Sequence, residues 1–272
     1  MLGYKVEGNG PPLLLIHGWG LSYSIWKNLA PLLRRRFKLI IVELPGINDS
    51  PWSDPELPYQ EGAADAIEEV RCALKIERWA VLSYSVGTRV GEAYLRKYFH
   101  HVDRAVFLCP MQVSTFWAQS LRFGNWVNDH YPSTIDWVVS GWRLKRLVQL
   151  MGFNGQRHPY VREWTREIES QRKDVIATTL LSVPSYGLEP FEASNVPTLF
   201  VWGQHDIIAA RPRKLGAHDR VIAANHSAPM SSAEAVADAI IPFLKHRVLG
   251  ETTVLSRSAD AFDSRQVRPA PV

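Results

Sequence analysis

This 272-residue chain has only two cysteines and no long apolar run. Its only cysteines, Cys72 and Cys109, form neither a disulfide framework nor the paired spacing of a structural zinc site. No stretch approaches the roughly 20 consecutive apolar residues of a transmembrane helix, so we expect no membrane span. These absences argue against a disulfide-stabilised secreted domain, a zinc-binding module and an integral membrane protein.

Signals for targeting and for nucleic-acid binding are also missing. Met1 to Lys5 do not form a basic segment followed by an apolar core, so no signal peptide is predicted and a cytoplasmic location is expected. The formal net charge is +4, but no basic helix or aromatic-basic platform stands out. We therefore expect no nucleic-acid partner, and the sequence shows no internal repeat.

The chain does have short apolar runs that alternate with helix-like segments. Hydrophobic residues make up 46% of it, which is ample for a large core. Runs typical of fully buried strands lie at residues 13–16, 39–42, 80–82, 105–108 and 198–202, and helical patterns at 60–74, 88–99 and 232–246. This alternation predicts an α/β fold with a mostly parallel central sheet flanked by helices.

The alternation stops between Pro110 and Val196. That stretch contains helix-like pieces such as Ile135 to Met151 and Tyr160 to Ile176. We predict a core of residues 1–110 and 197–249, a helical lid of residues 111–196 inserted between two strands, and a disordered tail over residues 250–272, which lacks periodicity.

A serine stands where one predicted strand turns into a helix. Ser85 is the centre of Ser83-Tyr84-Ser85-Val86-Gly87, a variant of the G-x-S-x-G nucleophile elbow in which Ser83 replaces the commoner glycine. Such a turn lifts the hydroxyl clear of its neighbours so that a base can reach it. The pattern predicts Ser85 as a nucleophile; the alternative is a small residue at a tight strand-helix junction.

Two partners follow Ser85 along the chain, each after a further apolar run. Asp206 follows the run 198–202, and His226 follows a shorter run at 220–224. In this order His226 would take the proton from Ser85, and Asp206 would hold the imidazole in one tautomer. The carboxyl ends of parallel strands gather at one sheet edge, so we expect the three side chains to meet there.

Other residues compete for these roles. Glu43 also ends a predicted strand, and His205 is the neighbour of Asp206. His218 is the rival base, although it follows a loop, where most histidines are solvated. His17 precedes a Gly-x-Gly sequence and is interpreted as a residue that pins its loop by side-chain hydrogen bonds.

The loop from Ile16 to Gly20 follows the first apolar run and is predicted to hold the negative oxygen of a tetrahedral intermediate. The donors of this oxyanion hole would be the backbone N–H groups of Trp19 and Val86. Losing one such donor usually costs about 3 kcal/mol of transition-state stabilisation.

Together these segments resemble the α/β-hydrolase superfamily. The resemblance rests on Leu15 to Leu21 with Trp26, Glu43 to Gly46, the Ser85 elbow and Asn225 to Pro229. The start His17-Gly18-Trp19-Gly20-Leu21 most resembles the pimeloyl-ACP methyl ester carboxylesterases of biotin synthesis. The resemblance implies an α/β-hydrolase fold and a serine carboxylesterase that needs no cofactor or metal. Departures at Glu43, at Ile47 to Ser50, at Ser83 and at Thr88 concern the pocket mouth and the elbow.

The predicted lid carries the expected substrate and partner contacts. The tryptophans of this stretch are expected to line an apolar tunnel, and they are Trp117, Trp126, Trp137, Trp142 and Trp164. Trp117, Trp126 and Trp142 are the candidate substrate contacts; the alternative is that the tryptophans pack the lid helices together. Basic residues expected to contact an acyl carrier protein are Arg143, Arg146 and Arg157. The alternative for these arginines is a solvated helix face with local ion pairs.

Three hypotheses of function follow. The first is a carboxylic ester hydrolase that forms an acyl-enzyme on Ser85 from a small-molecule or carrier-bound acyl ester, in its sharpest version a methyl ester on an acyl carrier protein. The second uses the same residues for C–C hydrolysis, lyase or perhydrolase chemistry. The third is a ligand-binding protein of low turnover, because a fold does not dictate a function.

Overall fold

A computed structural model describes residues 1–52, 57–112, 115–131, 133–181, 191, 195–209, 211–212 and 214–245. Its strands are β1 (Tyr4–Glu7), β2 (Pro12–Ile16), β3 (Lys38–Val42), β4 (Trp79–Tyr84), β5 (Val102–Leu108), β6 (Thr198–Gly203) and β7 (Asp219–Ile222). Its helices are α1 (Ala30–Leu33), α2 (Tyr59–Ala73), α3 (Gly87–Tyr98), α4 (Thr115–His130), α5 (Ser133–Val138), α6 (Gly141–Phe153), α7 (Pro159–Ser170) and α8 (Lys173–Leu181), followed by Ala228–Ser231 and the C-terminal helix Ala233–Lys245.

The strands form one sheet in the order β1-β3-β2-β4-β5-β6-β7. Only β1 runs antiparallel to its neighbour among these strands, and the other five pairings are parallel. The prediction of a mostly parallel sheet flanked by helices is therefore confirmed. The sequence did not reveal β1, because this edge strand is only partly buried and lacks a continuous apolar run.

Helices on both faces explain why the strands read as unbroken apolar runs. In β2, Leu13 and Leu15 belong to one buried cluster with the C-terminal helix, whereas Leu14 and Ile16 belong to another with α2 and α3. Successive side chains of a strand point to opposite faces, so both sets must be apolar when both faces are covered.

Helices α4 to α8 lie between β5 and β6 in the chain. The pattern over 135–151 predicts one helix, but the structure has two, α5 and α6, separated at Val139 and Ser140. Gly141 there has a φ of 58°, a left-handed conformation that glycine adopts without a steric cost. A lid role for this segment stays a prediction, and the predicted tail lies outside the described residues.

Both cysteines are free thiols, Cys72 exposed in α2 and Cys109 buried just after β5. Across the described part of the chain, no helix combines the length and the apolar character that crossing a bilayer requires. The position of Ser85 depends instead on the sheet.

Candidate active site

Ser85 occupies a strained turn between β4 and α3. Its φ is 54°, in the left-handed region that is uncommon for residues other than glycine. Hydrogen bonds hold the turn: Ser85 N–H donates to the Leu108 carbonyl at 3.0 Å, and Thr88 N–H donates to the Ser85 carbonyl at 2.9 Å. The surrounding sheet and helix thus maintain a backbone conformation that would be unfavourable in isolation.

Thr88 and Ser83 stand at elbow positions where glycine is commonest, and each makes specific contacts. The Thr88 hydroxyl donates to the Ser85 carbonyl at 2.6 Å and accepts from Met111 N–H at 2.9 Å, which ties the turn to the end of β5. Ser83 fits because Gly91 faces it: an added Cβ at Gly91 would lie only 2.7 Å from the Ser83 hydroxyl oxygen. The structure therefore accommodates both departures.

Ser85, His226 and Asp206 form a continuous chain of hydrogen bonds. Ser85 Oγ lies 2.8 Å from His226 Nε2, and His226 Nδ1 lies 2.8 Å from Asp206 Oδ2. A carboxylate only accepts, so Nδ1 carries the proton and Nε2 accepts from the serine hydroxyl. The His226 and Asp206 side chains are 7% and 1% exposed, so water competes little for these bonds.

The carboxylate of Asp206 is held in its charged form. Its Oδ1 accepts hydrogen bonds from Ile208 N–H at 2.8 Å and Ala209 N–H at 3.1 Å. Burial acts to raise the pKa of Asp206, but the attraction of His226 and these hydrogen bonds together hold the pKa below its usual value. A permanent negative charge thus faces Nδ1 and can stabilise an imidazolium.

The loop between β2 and α1 lies directly against the elbow. A Cβ added at Gly87 would lie 2.2 Å from the His17 carbonyl oxygen, and one added at Gly18 would lie 2.9 Å from Ser85 Cβ. Among the described residues, the backbone N–H groups of Trp19 and Val86 have no hydrogen-bond acceptor. Both are free to serve a ligand, as the oxyanion-hole prediction requires.

His17 holds this loop from beneath. It is fully buried; its Nε2 accepts from Leu44 N–H at 2.9 Å, and its Nδ1 donates to the Gly18 carbonyl at 2.8 Å. Burial lowers the pKa of His17 to about 4, partly opposed by the Gly18 hydrogen bond. The ring is therefore neutral near pH 7 and makes the pinning contacts that its sequence position predicts.

The α/β topology agrees with the protein family that the sequence matches. The alpha/beta hydrolase fold family matches residues 11–217, which is most of the chain. The chain belongs to the α/β-hydrolase fold family.

Short segments of this α/β-hydrolase are similar to curated proteins. It is 36% identical over 70 residues to the pimeloyl-[acyl-carrier protein] methyl ester esterase of Aeromonas hydrophila, a match covering 25% of this chain and 28% of that protein. It is 43% identical over 50 residues to the enzyme of the same name from Legionella pneumophila, covering 18% and 21%. The matches thus span less than a third of either relative.

Solved structures resemble the hydrolase over nearly its whole length. A thermophilic esterase from Thermogutta terrifontis superposes with a TM-score of 0.71 at 24% identity, covering 89% of this chain and 92% of that one. The enol-lactonase from Burkholderia xenovorans gives a TM-score of 0.70 at 18% identity, covering 90% and 96%. At these identities the likeness establishes the fold alone.

A cavity of about 110 Å³ opens beside Ser85 in this hydrolase. Apart from Ser85 and His226, its wall is almost entirely apolar. The wall consists of Trp19, Leu21, Tyr84, Ser85, Val86, Met111, Leu121, Leu147, Val148, Met151, Gly152, Trp164, Ile168, Ile208 and His226. The core supplies Ser85 and His226, and the inserted helices α4, α6 and α7 supply about half of the other lining residues.

Two of the three tryptophans predicted as substrate contacts do not line this cavity. Trp126 and Trp142 are 53% and 69% exposed and do not line it, whereas Trp19 and Trp164 do. The side chain of Trp117 lies outside the described residues. The helical repeat explains why Trp142 does not line the cavity. On α6 the side chains of Leu147 and Met151 face the cavity from one side of the helix, and Trp142 projects from another side.

The three predicted carrier contacts differ in their environment. Arg143 is engaged within the chain, because its Nε donates to the Trp137 carbonyl at 2.6 Å and its guanidinium lies 4.0 Å from the centre of the Trp137 ring. Arg146 and Arg157 are exposed. Their partner stays a prediction.

The competing acid and bases lie elsewhere. His205 and His218 are exposed. Glu43 is buried, and it accepts a hydrogen bond from the Asn48 amide at 2.5 Å; burial raises its pKa despite that bond. The Nδ1 atom of His226 pairs with Asp206 instead, as described above.

Tyr84 is a residue of the site that sequence reasoning missed. Its buried hydroxyl donates to the His226 carbonyl at 2.6 Å, and the two rings lie 5.5 Å apart. Tyr84 thereby fixes the backbone that carries the imidazole. It occupies a variable position of the elbow pattern, so no local signal marked it.

Cys109 is the other unanticipated neighbour. The ligand atoms of Cys109, Asp206 and His226 lie within 4.8 Å of one another. Burial raises the pKa of the Cys109 thiol well above its usual value, and the adjacent Asp206 adds to the effect. Metals bind the thiolate, so these groups fit proton handling better than metal coordination.

Proposed function

We propose that this α/β-hydrolase is a serine carboxylesterase, with Ser85 as nucleophile, His226 as general base and acid, and Asp206 as the orienting carboxylate. The observation that carries the proposal is the unbroken chain from Ser85 Oγ through both ring nitrogens of His226 to Asp206, with 2.8 Å at each link. Distances of this kind are within direct proton-transfer reach.

The reaction would proceed in two halves. Ser85 Oγ attacks the ester carbonyl carbon while its proton passes to His226 Nε2. The C–O bond to the alcohol then breaks, and His226 returns the proton to the leaving oxygen, which leaves an acyl-enzyme on Ser85. Water then attacks the acyl carbon while His226 takes one of its protons, the C–Oγ bond breaks, and His226 returns that proton to Ser85 Oγ as the acid leaves.

Charge that develops on the carbonyl oxygen needs donors already in place. The unengaged N–H groups of Trp19 and Val86 border the same cavity as Ser85, which supports their assignment as the oxyanion hole. Val86 also stands at the amino end of α3, where the helix dipole favours negative charge. Preorganised donors of this type lower the barrier without reorganisation during the reaction.

The cavity supports a neutral acyl chain as the substrate. A dry apolar cavity of roughly 150 Å³ holds benzene in another protein, so about 110 Å³ suits roughly four to six carbon atoms. The names of the two short-segment relatives support a finer proposal, a methyl ester of a pimeloyl chain on an acyl carrier protein. In that version Arg146 and Arg157 would contact the acidic carrier.

Turnover of p-nitrophenyl butyrate tests the reaction class. Replacement Ser85→Ala should reduce kcat by at least about a thousandfold and abolish labelling by a fluorophosphonate probe, because the attacking oxygen is gone. The matched control is Ser170→Ala, which removes an exposed hydroxyl from α7. Unchanged turnover in Ser85→Ala would rule out this mechanism.

Product analysis separates esterase chemistry from the C–C hydrolysis, lyase and perhydrolase alternatives. We expect one acid and one alcohol per turnover, with no peroxy acid and no elimination product. Among esters of graded chain length, the hydrolytic activity should be highest near the carbon number that the cavity admits. A carrier-linked methyl ester assayed beside them tests the finer proposal, which fails if the free methyl ester reacts equally well.

A further inference from the structure

The inserted helices expose an unusual amount of apolar surface. Six large side chains of α4 to α6 are each at least 45% exposed: Phe116, Phe123, Trp126, Trp137, Trp142 and Leu150. A large aromatic side chain has about 150–250 Å² of surface to bury, so these six side chains, which are about half to two thirds exposed, leave roughly 700 Å² of apolar surface in contact with solvent. A monomer rarely leaves more than a few hundred Å² of apolar surface exposed in one patch without a use for it.

Five of these six side chains lie on α4 and α6, two helices whose other sides line the cavity. On α6, Leu147 and Met151 line the cavity, whereas Trp142, Lys145 and Leu150 are exposed. On α4, Leu121 lines the cavity, whereas Phe123 and Trp126 are exposed and stack at 6.0 Å. Most of the exposed set therefore lies on two helices that also line the cavity.

Positive charge accompanies the aromatic rings. Lys145 and Arg146 are exposed on α6, which contains no acidic residue. Arg122 is exposed on α4. The Arg143 guanidinium lies 4.0 Å from the Trp137 ring centre and 5.5 Å from that of Trp142. The outward surface of α6 is thus aromatic and basic together, whereas α5 carries one acidic residue, the half-buried Asp136.

We propose that this aromatic-basic face, formed by Phe116, Phe123, Trp126, Trp137, Trp142, Lys145, Arg146 and Leu150, docks on an anionic lipid surface. Tryptophan suits the headgroup boundary because its ring is apolar and its N–H is polar, and lysine and arginine attract anionic headgroups. The cavity behind the face accepts hydrocarbon, so docking brings it to a source of acyl chains.

The charges and the apolar area favour this occupant over two others. A second copy of the chain would bring Lys145 and Arg146 towards the same cations in an isologous contact, which is repulsive. An acidic carrier protein, the partner that the finer version of the proposed function gives to Arg146, would account for the cations but not for the exposed Phe116, Trp142 and Leu150. A lipid surface accounts for both.

Vesicle binding tests the proposal independently of catalysis, because the Ser85→Ala protein can be used. We expect it to cosediment with vesicles of equal parts phosphatidylglycerol and phosphatidylcholine at least about tenfold more strongly than with phosphatidylcholine alone. Added salt should weaken the binding, because it screens exposed charges.

Paired variants locate the binding face. Trp142→Ser with Leu150→Ser, and separately Lys145→Ser with Arg146→Ser, should each lower the partition coefficient about tenfold or more. The controls make matched changes elsewhere: Phe99→Ser removes an apolar side chain that is 48% exposed, and Arg35→Ser with Arg36→Ser removes two exposed cations. Thermal unfolding establishes that every variant is folded.

Several results would overturn the proposal. One is no binding to the anionic vesicles, and another is an equal loss of binding in the controls. A third is a dimer, measured by light scattering, that Trp142→Ser dissociates, since a second copy would then occupy the face. A fourth is an acidic acyl carrier protein that binds through Lys145 and Arg146 while vesicles do not.

Discussion

The carboxyl edge of the sheet and the helices inserted after β5 depart from ordinary burial in opposite directions. At the sheet edge, polar side chains are buried: Ser85 and His226 are 4% and 6% exposed. On the inserted helices, large apolar side chains are exposed, with Phe116 at 70%. Buried polar groups and exposed apolar patches are the informative exceptions in a folded protein.

The buried polar groups and the exposed apolar side chains have different free-energy costs, and so they indicate different uses. Burying Asp206 is tolerable because both of its carboxylate oxygens accept hydrogen bonds, and the low dielectric strengthens its attraction to His226. Exposing Trp142 brings only a cation-π contact with Arg143, at 5.5 Å, among the contacts of the described residues. The first arrangement fits chemistry at a fixed point, and the second fits contact with something outside the molecule.

Not all of the insert is alike. Helix α7 is docked on the core: Glu167 accepts from Ser22 N–H and from the hydroxyls of Ser22 and Ser24, and Trp164 Nε1 lies 2.7 Å from Met230 Sδ. The Trp19 ring also donates to the Ile176 carbonyl of α8 at 2.9 Å. Helix α6 is also held at its C-terminal end, where Ser227 N–H donates to the Gly152 carbonyl at 3.2 Å, so what distinguishes α4 and α6 is their exposed apolar side chains.

The strongest test of the sheet-edge half of this comparison is Asp206→Asn. An amide can present a donor to Nδ1, which favours the wrong tautomer of His226, so we expect kcat for ester hydrolysis to fall about ten-thousandfold. The control is Asp219→Asn, whose carboxylate accepts from Trp202 Nε1 at 2.7 Å on the neighbouring strand. Equal activity in both variants would show that the buried charge is structural.

A second test exploits the neutral burial of His17. The unfolded chain binds a proton at this residue below about 6.5, whereas the folded chain does so only below about 4. The contribution of the neutral, buried His17 to stability is therefore fully present above about pH 6.5. It is lost as the pH drops towards 4, and the free energy of unfolding falls by roughly 3 kcal/mol in total.

Urea unfolding of the His17→Asn variant measures this contribution. Its free energy of unfolding should vary less between about pH 7 and about pH 4.5 than that of the wild type. His218→Asn replaces an exposed histidine and should keep the wild-type pH dependence. Parallel curves for wild type and His17→Asn would mean that the buried ring does not control acid stability.

The smallest expected effect concerns the docked part of the insert. Replacement Glu167→Ala removes the acceptor for Ser22 and Ser24 and should lower the free energy of unfolding by about 2 kcal/mol. It should change kcat far less than Asp206→Asn does. Glu169→Ala on the same helix loses one exposed bond, to Gly141 N–H, and should cost less. A larger loss in Glu169→Ala would reverse our assignment of the docking contact.

Local patterns were sufficient to locate the candidate site. Ser85, Asp206 and His226 each follow a short apolar run, and parallel strands place their exits at one edge, so the meeting of these side chains was predictable without coordinates. Their roles in a reaction stay predictions until the variants are assayed. The packing of Gly91 against Ser83 was not predictable, because it depends on the distance between a strand and a helix.

The sequence by itself determined the mostly parallel sheet and the order of the three candidate residues, because strand periodicity and strand exits are local properties. Only the tertiary structure decided that Tyr84 holds the His226 backbone, a contact across 142 positions, and that Trp142 faces outward. Which side of a helix is covered depends on the elements that pack against it, and spacing along one helix does not specify those elements.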